Sequence, residues 1–330
     1  MKIINLPSVL DDDGGILLIN CLNDSIDVSE ISIDFRPLQF VRPFGTLITA
    51  EAIKDFSAKR RMKGYKTYCQ DPQWILSKGS GPISYLKYFG FFQYCGLNIG
   101  EKPNKDYHTN TYFPIQVIRK QDLEKQSFIA DWRKGIERKC EDLSTLICND
   151  PVANEYLDYS IREIIRNVFE HANISECSIM AQCYGDEIEF AIADRGVGIH
   201  STLSEKYKTK TALDSVLLSL EPGVSRVDID RSKGSWGNSG FGLYVLSGVG
   251  KTYGTFSLLS SGAYIKMYED DQKTIVDKTY FTGTAVKLSV DRKQLEYFPN
   301  LRKKLIDEGE KLYEERHGKK MKASGKSKGS

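Results

Sequence analysis

The stretch Arg162-Glu-Ile-Ile-Arg-Asn-Val-Phe-Glu-His-Ala172 decides how the second half of this chain is interpreted. As a helix it carries an apolar stripe, and Glu163, Asn167, Glu170 and His171 follow one another on a polar face at i, i+4, i+7 and i+8. Asparagine is a poor helix former, and its carboxamide oxygen is a hard ligand suited to Mg²⁺. A carboxylate one turn away could orient or deprotonate water. An amphipathic helix with a solvated face remains an alternative for this segment alone.

Three glycine-containing segments follow along the chain. Ala193-Asp-Arg-Gly-Val-Gly-Ile199 comes directly after an apolar, strand-like run, and its aspartate could accept a hydrogen bond from an exocyclic amine. Gly237-Asn-Ser-Gly-Phe-Gly-Leu243 precedes a helical run, whose first N–H groups could face phosphate oxygens. Gly283-Thr-Ala-Val-Lys-Leu288 opens the final strand and offers a small hydroxyl. Separately, these segments also fit a strand exit, a flexible loop and an ordinary strand.

Together and in this order, the four segments resemble the N, G1, G2 and G3 boxes of the GHKL superfamily of gyrase B, heat-shock-90 chaperones, histidine kinases and MutL. The resemblance covers roughly residues 150 to 290. It implies an α/β fold of the Bergerat type, a sandwich with a mixed sheet and helices on one face. It also implies ATP and Mg²⁺ as cofactors, bound between the sheet and the helices.

The same resemblance assigns roles to residues. Asn167 would hold Mg²⁺, Asp194 would recognise the adenine amino group with support from Thr284, and Glu163 would take the place of the general base. His171 would lie near the phosphates, although a structural histidine is an open alternative. The remaining predicted nucleotide-binding residues are Gly196, Gly198, Gly240, Phe241, Gly242 and Leu243.

Three functions stay open at this point. The first is a GHKL-type ATPase, a hydrolase that acts as a nucleotide-dependent switch on a partner protein. The second is a protein serine/threonine kinase of the anti-sigma type, because the Glu-x-x-x-Asn-x-x-x-His pattern also looks like the N box of those kinases. The third is a non-catalytic module that binds nucleotide. Histidine autophosphorylation is not expected, because the helical run of residues 120–148 contains no histidine.

A cationic segment lies between Gly198 and Gly237, and mobile cations there could close over a triphosphate as a lid. A solvated charged loop is the alternative. The cations of this segment are Lys206, Lys208, Lys210, Arg226, Arg231 and Lys233.

The first part of the chain has α/β character. Gly15–Asn20 and Ile31–Phe35 have the length of strands, and Thr46–Lys59 has helical spacing. Residues 30–92 are similar to STAS domains, but Arg42-Pro43-Phe44 stands where that family places a phosphorylatable serine. The sequence therefore predicts a STAS-like α/β domain without that phospho-switch, with a generic small α/β module as the alternative.

The expected organisation has four parts. They are a STAS-like domain over 1–112, a helical connector over 113–150, the ATP-binding domain over 151–295, and a C-terminal helix with a basic disordered tail over 296–330.

Composition limits the classes of partner. The net charge of 330 residues is +2, and residues 316–330 alone carry six lysines and arginines and no acid, so the remaining body is mildly acidic. No specific nucleic-acid binding is expected from such a surface. The seven cysteines contain no Cys-x-x-Cys pair, and no run approaches the length of a membrane span. We expect a cytoplasmic protein, no membrane association, and a protein partner or self-association.

Overall fold

The computed structural model describes residues 1–97, 99, 112–125, 131–226, 239–269 and 272–325. The first group of elements comprises β1 (Lys2–Asn5), β2 (Val9–Leu10), α1 (Asp12–Asn23), β3 (Glu30–Asp34), β4 (Phe40–Val41), α2 (Pro43–Met62), β5 (Lys66–Cys69), α3 (Pro72–Ser77), α4 (Gly81–Tyr88) and α5 (Phe91–Tyr94). We call this group the N-terminal unit.

The second group begins with an edge strand and ends with a long helix. Its elements are β6 (Tyr112–Arg119), α6 (Lys120–Lys125), α7 (Trp132–Ile147), α8 (Pro151–His171), β7 (Glu176–Tyr184), β8 (Glu187–Asp194), α9 (Gly198–Tyr207), α10 (Ala212–Ser219), α11 (Gly242–Tyr253), β9 (Gly254–Ser260), β10 (Ala263–Tyr268), β11 (Lys273–Val276), β12 (Thr284–Asp291), a 3-10 helix (Arg292–Tyr297) and α12 (Phe298–His317). The predicted α/β class is confirmed.

The N-terminal unit is built on a parallel sheet of order β1-β3-β5, beside a short parallel pair of β2 and β4. The predicted strand at Ile31–Phe35 and helix at Thr46–Lys59 are confirmed by β3 and α2. The strand predicted for Gly15–Asn20 is wrong, because these residues lie within α1. Asp11 caps that helix by accepting the Gly14 N–H at 3.0 Å, and a short apolar run does not by itself separate strand from helix.

A seven-stranded sheet of order β11-β10-β9-β12-β8-β7-β6 forms the centre of the molecule. Within the described residues, its pairings are all antiparallel, so the expectation of a mixed sheet is wrong. The alternating segments 178–182 and 187–193 predict two paired strands around the turn Tyr184-Gly-Asp186. This hairpin is confirmed, since β7 and β8 pair from Tyr184↔Glu187 to Ser178↔Ala193. β6, β11 and α9 were not predicted from the sequence.

Helices cover one face of this sheet. The core on that face joins α7, α8 and α11 to alternate residues of the strands, among them Ile179 and Ile192. α8 begins after Asp150, whose carboxylate accepts the Val152 N–H at 3.0 Å, with Pro151 in the first turn. This helix therefore presents its buried stripe to the sheet and its polar face toward the start of α11.

The N-terminal unit covers the opposite face of the same sheet. Met180, Ala191 and Ala193 point to this side and belong to one apolar core with residues of α1 and α2. A buried ion pair crosses the interface, with the Lys287 Nζ on β12 lying 2.6 Å from the Asp12 carboxylate at the start of α1. The sheet is thus buried on both faces.

Acidic residues of β8 provide a second contact with the N-terminal unit. The Arg42 guanidinium donates to Glu189 at 2.7 Å and also bonds Glu187, and the Phe44 N–H donates to Glu189 at 3.0 Å. The stretch Arg42-Pro43-Phe44 therefore starts α2 and attaches it to β8.

Two predicted boundaries need correction. The expected helical connector over 113–150 is instead part of the sandwich, because β6 pairs with β7 and the buried face of α7 belongs to the same apolar core as α8. The predicted C-terminal helix is confirmed by α12. The tail is not disordered as far as residue 325, since the buried Ala323 donates its N–H to Glu310 at 2.9 Å, and residues 326–330 lie outside the described part.

Candidate functional site

A pocket opens between α8, the adjoining ends of β8 and β12, α9 and the start of α11, with about 810 Å³ of empty space including its mouth. We call it the Asn167–Asp194 pocket. Eight of the predicted site residues line it, and they come from four separate parts of the sequence. These eight are Asn167, His171, Asp194, Gly198, Gly240, Gly242, Leu243 and Thr284.

The α8 wall supplies an amide and an imidazole one turn apart. Asn167 is half-buried, so its carboxamide can reach a ligand in the pocket. Burial, and then the positive charges of Arg226 and Arg166, lower the pKa of His171 to about 4. His171 is therefore neutral at pH 7 and does not supply a positive charge to the pocket.

Asp194 ends β8 and is only 3% exposed. Burial raises its pKa from 3.8 to about 7, against hydrogen bonds from the backbone of Gly196 and Thr284 that lower it, and Glu51 of the N-terminal unit raises it further. The Gly196 N–H donates to Asp194 Oδ1 at 2.7 Å. A carboxyl this deeply buried is costly to ionise, and its oxygen can accept a hydrogen bond from a ligand.

Thr284 stands directly opposite Asp194 in the β8–β12 register, which explains why the two residues share one wall. Its hydroxyl lies 2.9 Å from the Ser260 Oγ, which in turn accepts the Ile199 N–H at 2.9 Å. Ser261 accepts the His200 N–H at 3.1 Å. These two serines hold the N-terminus of α9 beside Asp194. Neither serine was predicted from the sequence, although Ser260-Ser261 followed by Gly262 marks the end of a strand.

Gly240 and Gly196, both predicted to bind nucleotide, are each required to be glycine for a different structural reason. Gly240 has φ +71° and a Cβ there would lie 2.6 Å from the Val224 carbonyl oxygen, so the turn before α11 requires glycine. Gly196 does not line the pocket. A Cβ on it would lie 2.3 Å from the Ala172 carbonyl oxygen, so this glycine allows the Asp194 turn to pack against the end of α8.

The N-terminus of α11 faces the pocket through Gly242 and Leu243. Its N-cap residue, Phe241, provides no side-chain hydrogen bond to the helix, so an anion in the pocket could accept from the first N–H groups. Phe241 itself does not line the pocket, because its fully buried ring packs edge-on against Tyr244 in the core.

Glu163 lies behind the pocket wall. Its carboxylate is buried, its Oε1 lies 3.3 Å from the Arg166 Nη1, and its Oε2 would lie 2.8 Å from a Cβ on Gly242. The predicted general base is therefore adjacent to the start of α11 and forms a buried ion pair, but it is absent from the pocket lining.

Of the predicted cationic segment, residues 227–238 lie outside the described residues, so Arg231, Lys233 and Gly237 have no assigned position. Arg226 lines the pocket. The Lys206 Nζ donates to the Ser225 carbonyl oxygen at 3.0 Å and thereby connects α9 to the loop that contains Arg226.

Beyond Asp194, the next residue connects the pocket with the N-terminal unit. The Arg195 guanidinium lies 2.5 Å from the Asp55 carboxylate on α2 and stacks over the Phe281 ring. The ion pair with Arg195, after the opposing effect of burial, lowers the pKa of Asp55. A movement of the Asp194 turn would consequently be transmitted to α2 through this ion pair.

Comparisons with protein-family models, with curated proteins and with solved structures found no significant match. Within the described residues, no group of three or more His, Cys, Asp or Glu side chains could hold a metal ion by itself. Among the same residues, no helix combines the length and the apolar character that crossing a bilayer requires.

Proposed function

We propose that this chain binds ATP with Mg²⁺ in the Asn167–Asp194 pocket and acts as a nucleotide-dependent switch on a protein partner. The observation that carries the proposal is the convergence on one pocket of Asn167, Asp194, Gly242 and Thr284, which stand up to 117 positions apart in the sequence. Such convergence is what the resemblance to the GHKL superfamily predicts.

The roles follow from the two ends of the pocket. At one end the Asp194 carboxylate would accept a hydrogen bond from the exocyclic amine of adenine. At the other, the N–H groups at the start of α11 would receive phosphate oxygens.

The metal fits the residues present. Mg²⁺ is usually held by one or two protein oxygens together with waters and substrate phosphates, and the half-buried Asn167 carboxamide offers such an oxygen on the pocket wall. Bound there, the ion would neutralise phosphate charge. The role of Asn167 is to fix the position of the ion.

Hydrolysis is the finer part of the proposal. Glu163 would have to turn away from Arg166 and toward the pocket before it could orient a water molecule. We therefore propose that any hydrolysis is slow and that occupancy of the pocket is the main signal. The ion pair of Arg195 and Asp55 offers a route from that signal to the N-terminal unit.

Isothermal titration calorimetry with a non-hydrolysable ATP analogue tests this proposal, with inosine triphosphate as the matched ligand that lacks the exocyclic amine. We expect at least about tenfold weaker binding of the inosine compound, because the Asp194 hydrogen bond is lost. Asn167→Ala should remove the dependence of binding on Mg²⁺. Absence of binding by folded protein, or equal affinity for both nucleotides, would refute the proposal.

The rate of phosphate release distinguishes ATP hydrolysis from nucleotide binding alone. Glu163→Gln keeps the shape of the side chain and removes its basicity. A loss of at least about tenfold in the rate, with nucleotide affinity unchanged, supports Glu163 as the base. An unchanged rate would assign Glu163 to the ion pair with Arg166 alone.

A further inference from the structure

Two cysteines that the proposed function does not use lie in contact on the helical side of the sheet. Cys148 follows α7 directly, and Cys183 is the penultimate residue of β7. Their Sγ atoms are 3.5 Å apart, with the Cys183 thiol donating toward Cys148. Both residues are buried, since Cys148 is 2% exposed and Cys183 is 5% exposed. We propose that these residues form a peroxide-responsive disulfide site in which Cys148 is the attacking thiol and Cys183 the resolving thiol.

The distance between the sulfur atoms permits the bond. A disulfide has an S–S length of about 2.05 Å, so the two atoms need to approach by about 1.5 Å. Rotation of two side chains supplies such a movement without unfolding α7 or β7. The buried Cys95 has a different partner, because its thiol donates to the Ala50 carbonyl oxygen at 3.7 Å.

The surroundings distinguish the two thiols. The hydrogen bond from Cys183, and then the guanidinium of Arg292, lower the pKa of Cys148 to about 7, although burial opposes this. The same hydrogen bond raises the pKa of Cys183, together with burial. Cys148 is thus the thiol that loses its proton more readily, and the thiolate is the nucleophile in thiol oxidation.

The site lies close to the surface. The Arg292 side chain is 37% exposed, and its guanidinium lies 3.9 Å from Asp150 and 3.9 Å from Asp186. Both carboxylates are themselves partly exposed. A peroxide molecule is only slightly larger than a water molecule, and we expect a displacement of the Arg292 side chain to admit it to Cys148.

The chemistry balances in two steps. The Cys148 thiolate attacks one peroxide oxygen, an S–O bond forms, the O–O bond breaks, and hydroxide leaves to become water by taking up a proton. The Cys183 sulfur then attacks the sulfenic sulfur, an S–S bond forms, the S–O bond breaks, and the departing hydroxide takes the Cys183 proton. In total, two thiols are oxidised and hydrogen peroxide is reduced to two waters.

The test is peroxide treatment of the full-length, reduced, folded protein, carrying Cys21→Ser to prevent links between molecules through that exposed thiol. Free thiols are then alkylated and peptides mapped by mass spectrometry. We expect a linked peptide pair containing Cys148 and Cys183, a mass loss of two hydrogen atoms, and reversal by dithiothreitol. The buried Cys140 and Cys177 serve as internal controls and should remain reduced.

Two variants assign the order of attack. Cys183→Ser should leave a sulfenic acid on Cys148 that dimedone traps, whereas Cys148→Ser should leave Cys183 unmodified. If neither variant folds, the peptide map of the Cys21→Ser protein decides alone. Linkage to a different cysteine, overoxidation of Cys148 with Cys183 still free, or two free thiols after treatment would each overturn the proposal.

Discussion

Replacement of Asp194 by asparagine should stabilise the protein at pH 8. The side chain is 3% exposed, and burial raises its pKa from 3.8 to about 7. A difference of one pH unit between the folded and unfolded pKa corresponds to about 1.4 kcal/mol, so ionised Asp194 costs the folded state about 4 kcal/mol. Asparagine has nearly the same shape, can still accept the Gly196 N–H and carries no charge. We expect a gain of about 2–4 kcal/mol in the free energy of unfolding.

The sign of the pH dependence follows from proton binding. Between the unfolded pKa of 3.8 and the folded pKa of about 7, the folded protein keeps the Asp194 proton and the unfolded chain has released it. Stability from this group therefore falls as pH rises through that window and is constant above it. The gain of Asp194→Asn should be close to zero near pH 4 and reach its full value at pH 8.

Urea unfolding of the wild type and the variant, without nucleotide and at several pH values, measures this difference. Asp186→Asn is the matched control, because that carboxylate is half exposed and pairs with Lys293 at the surface, so we expect a much smaller change than for Asp194→Asn. A variant no more stable than the wild type at pH 8, or a gain equal at pH 5 and pH 8, would refute the reasoning.

The remaining predictions concern packing and the buried ion pair. Lys287→Met should lower the free energy of unfolding in urea by about 3–5 kcal/mol, because it leaves the buried Asp12 without its closest cation. Lys266 is partly exposed and its Nζ lies 4.0 Å from the Asp12 carboxylate, so Lys266→Met should cost much less. Equal losses in the two variants would contradict this. The pKa of Asp12 is lowered by Lys287 and Lys266 against the opposing effect of burial, so its contribution to stability should be lost as the pH falls below about 4. Asp12→Asn should therefore make the free energy of unfolding less dependent on pH in that range. Gly196→Ala should destabilise by about 1–3 kcal/mol, since its Cβ meets a backbone oxygen at 2.3 Å, while Gly79→Ala, in open space, should stay within about 0.5 kcal/mol.

The sequence predicted best those elements whose signal is local. The periodicity of α8 and the alternation of β7 and β8 were sufficient to predict the helix and the hairpin, because each element buries the apolar residues that its pattern displays. The order of the four motif segments also predicted a common pocket, and eight of the eleven proposed residues line it. The other three, Glu163, Gly196 and Phe241, do not line the pocket: they stand within these motifs but face Arg166, the end of α8 and the core. A motif assigns a position in the chain, and packing decides which way the side chain points.

The N-terminal unit shows where local reasoning reaches its limit. Successive residues of β7 and β8 are apolar on both faces: Ile179 faces the helical core and Met180 faces the N-terminal unit, and this pattern is typical of a strand buried on both sides. The sequence thus contained the information that something covers the second face, but not which segment does so. That choice is made by pairs such as Arg42 with Glu189, whose members are 147 positions apart. A carboxylate within a buried strand needs a cation from another element, because an unpaired charge there is far too costly, so Glu189 is the residue from which the contact with α2 could have been inferred.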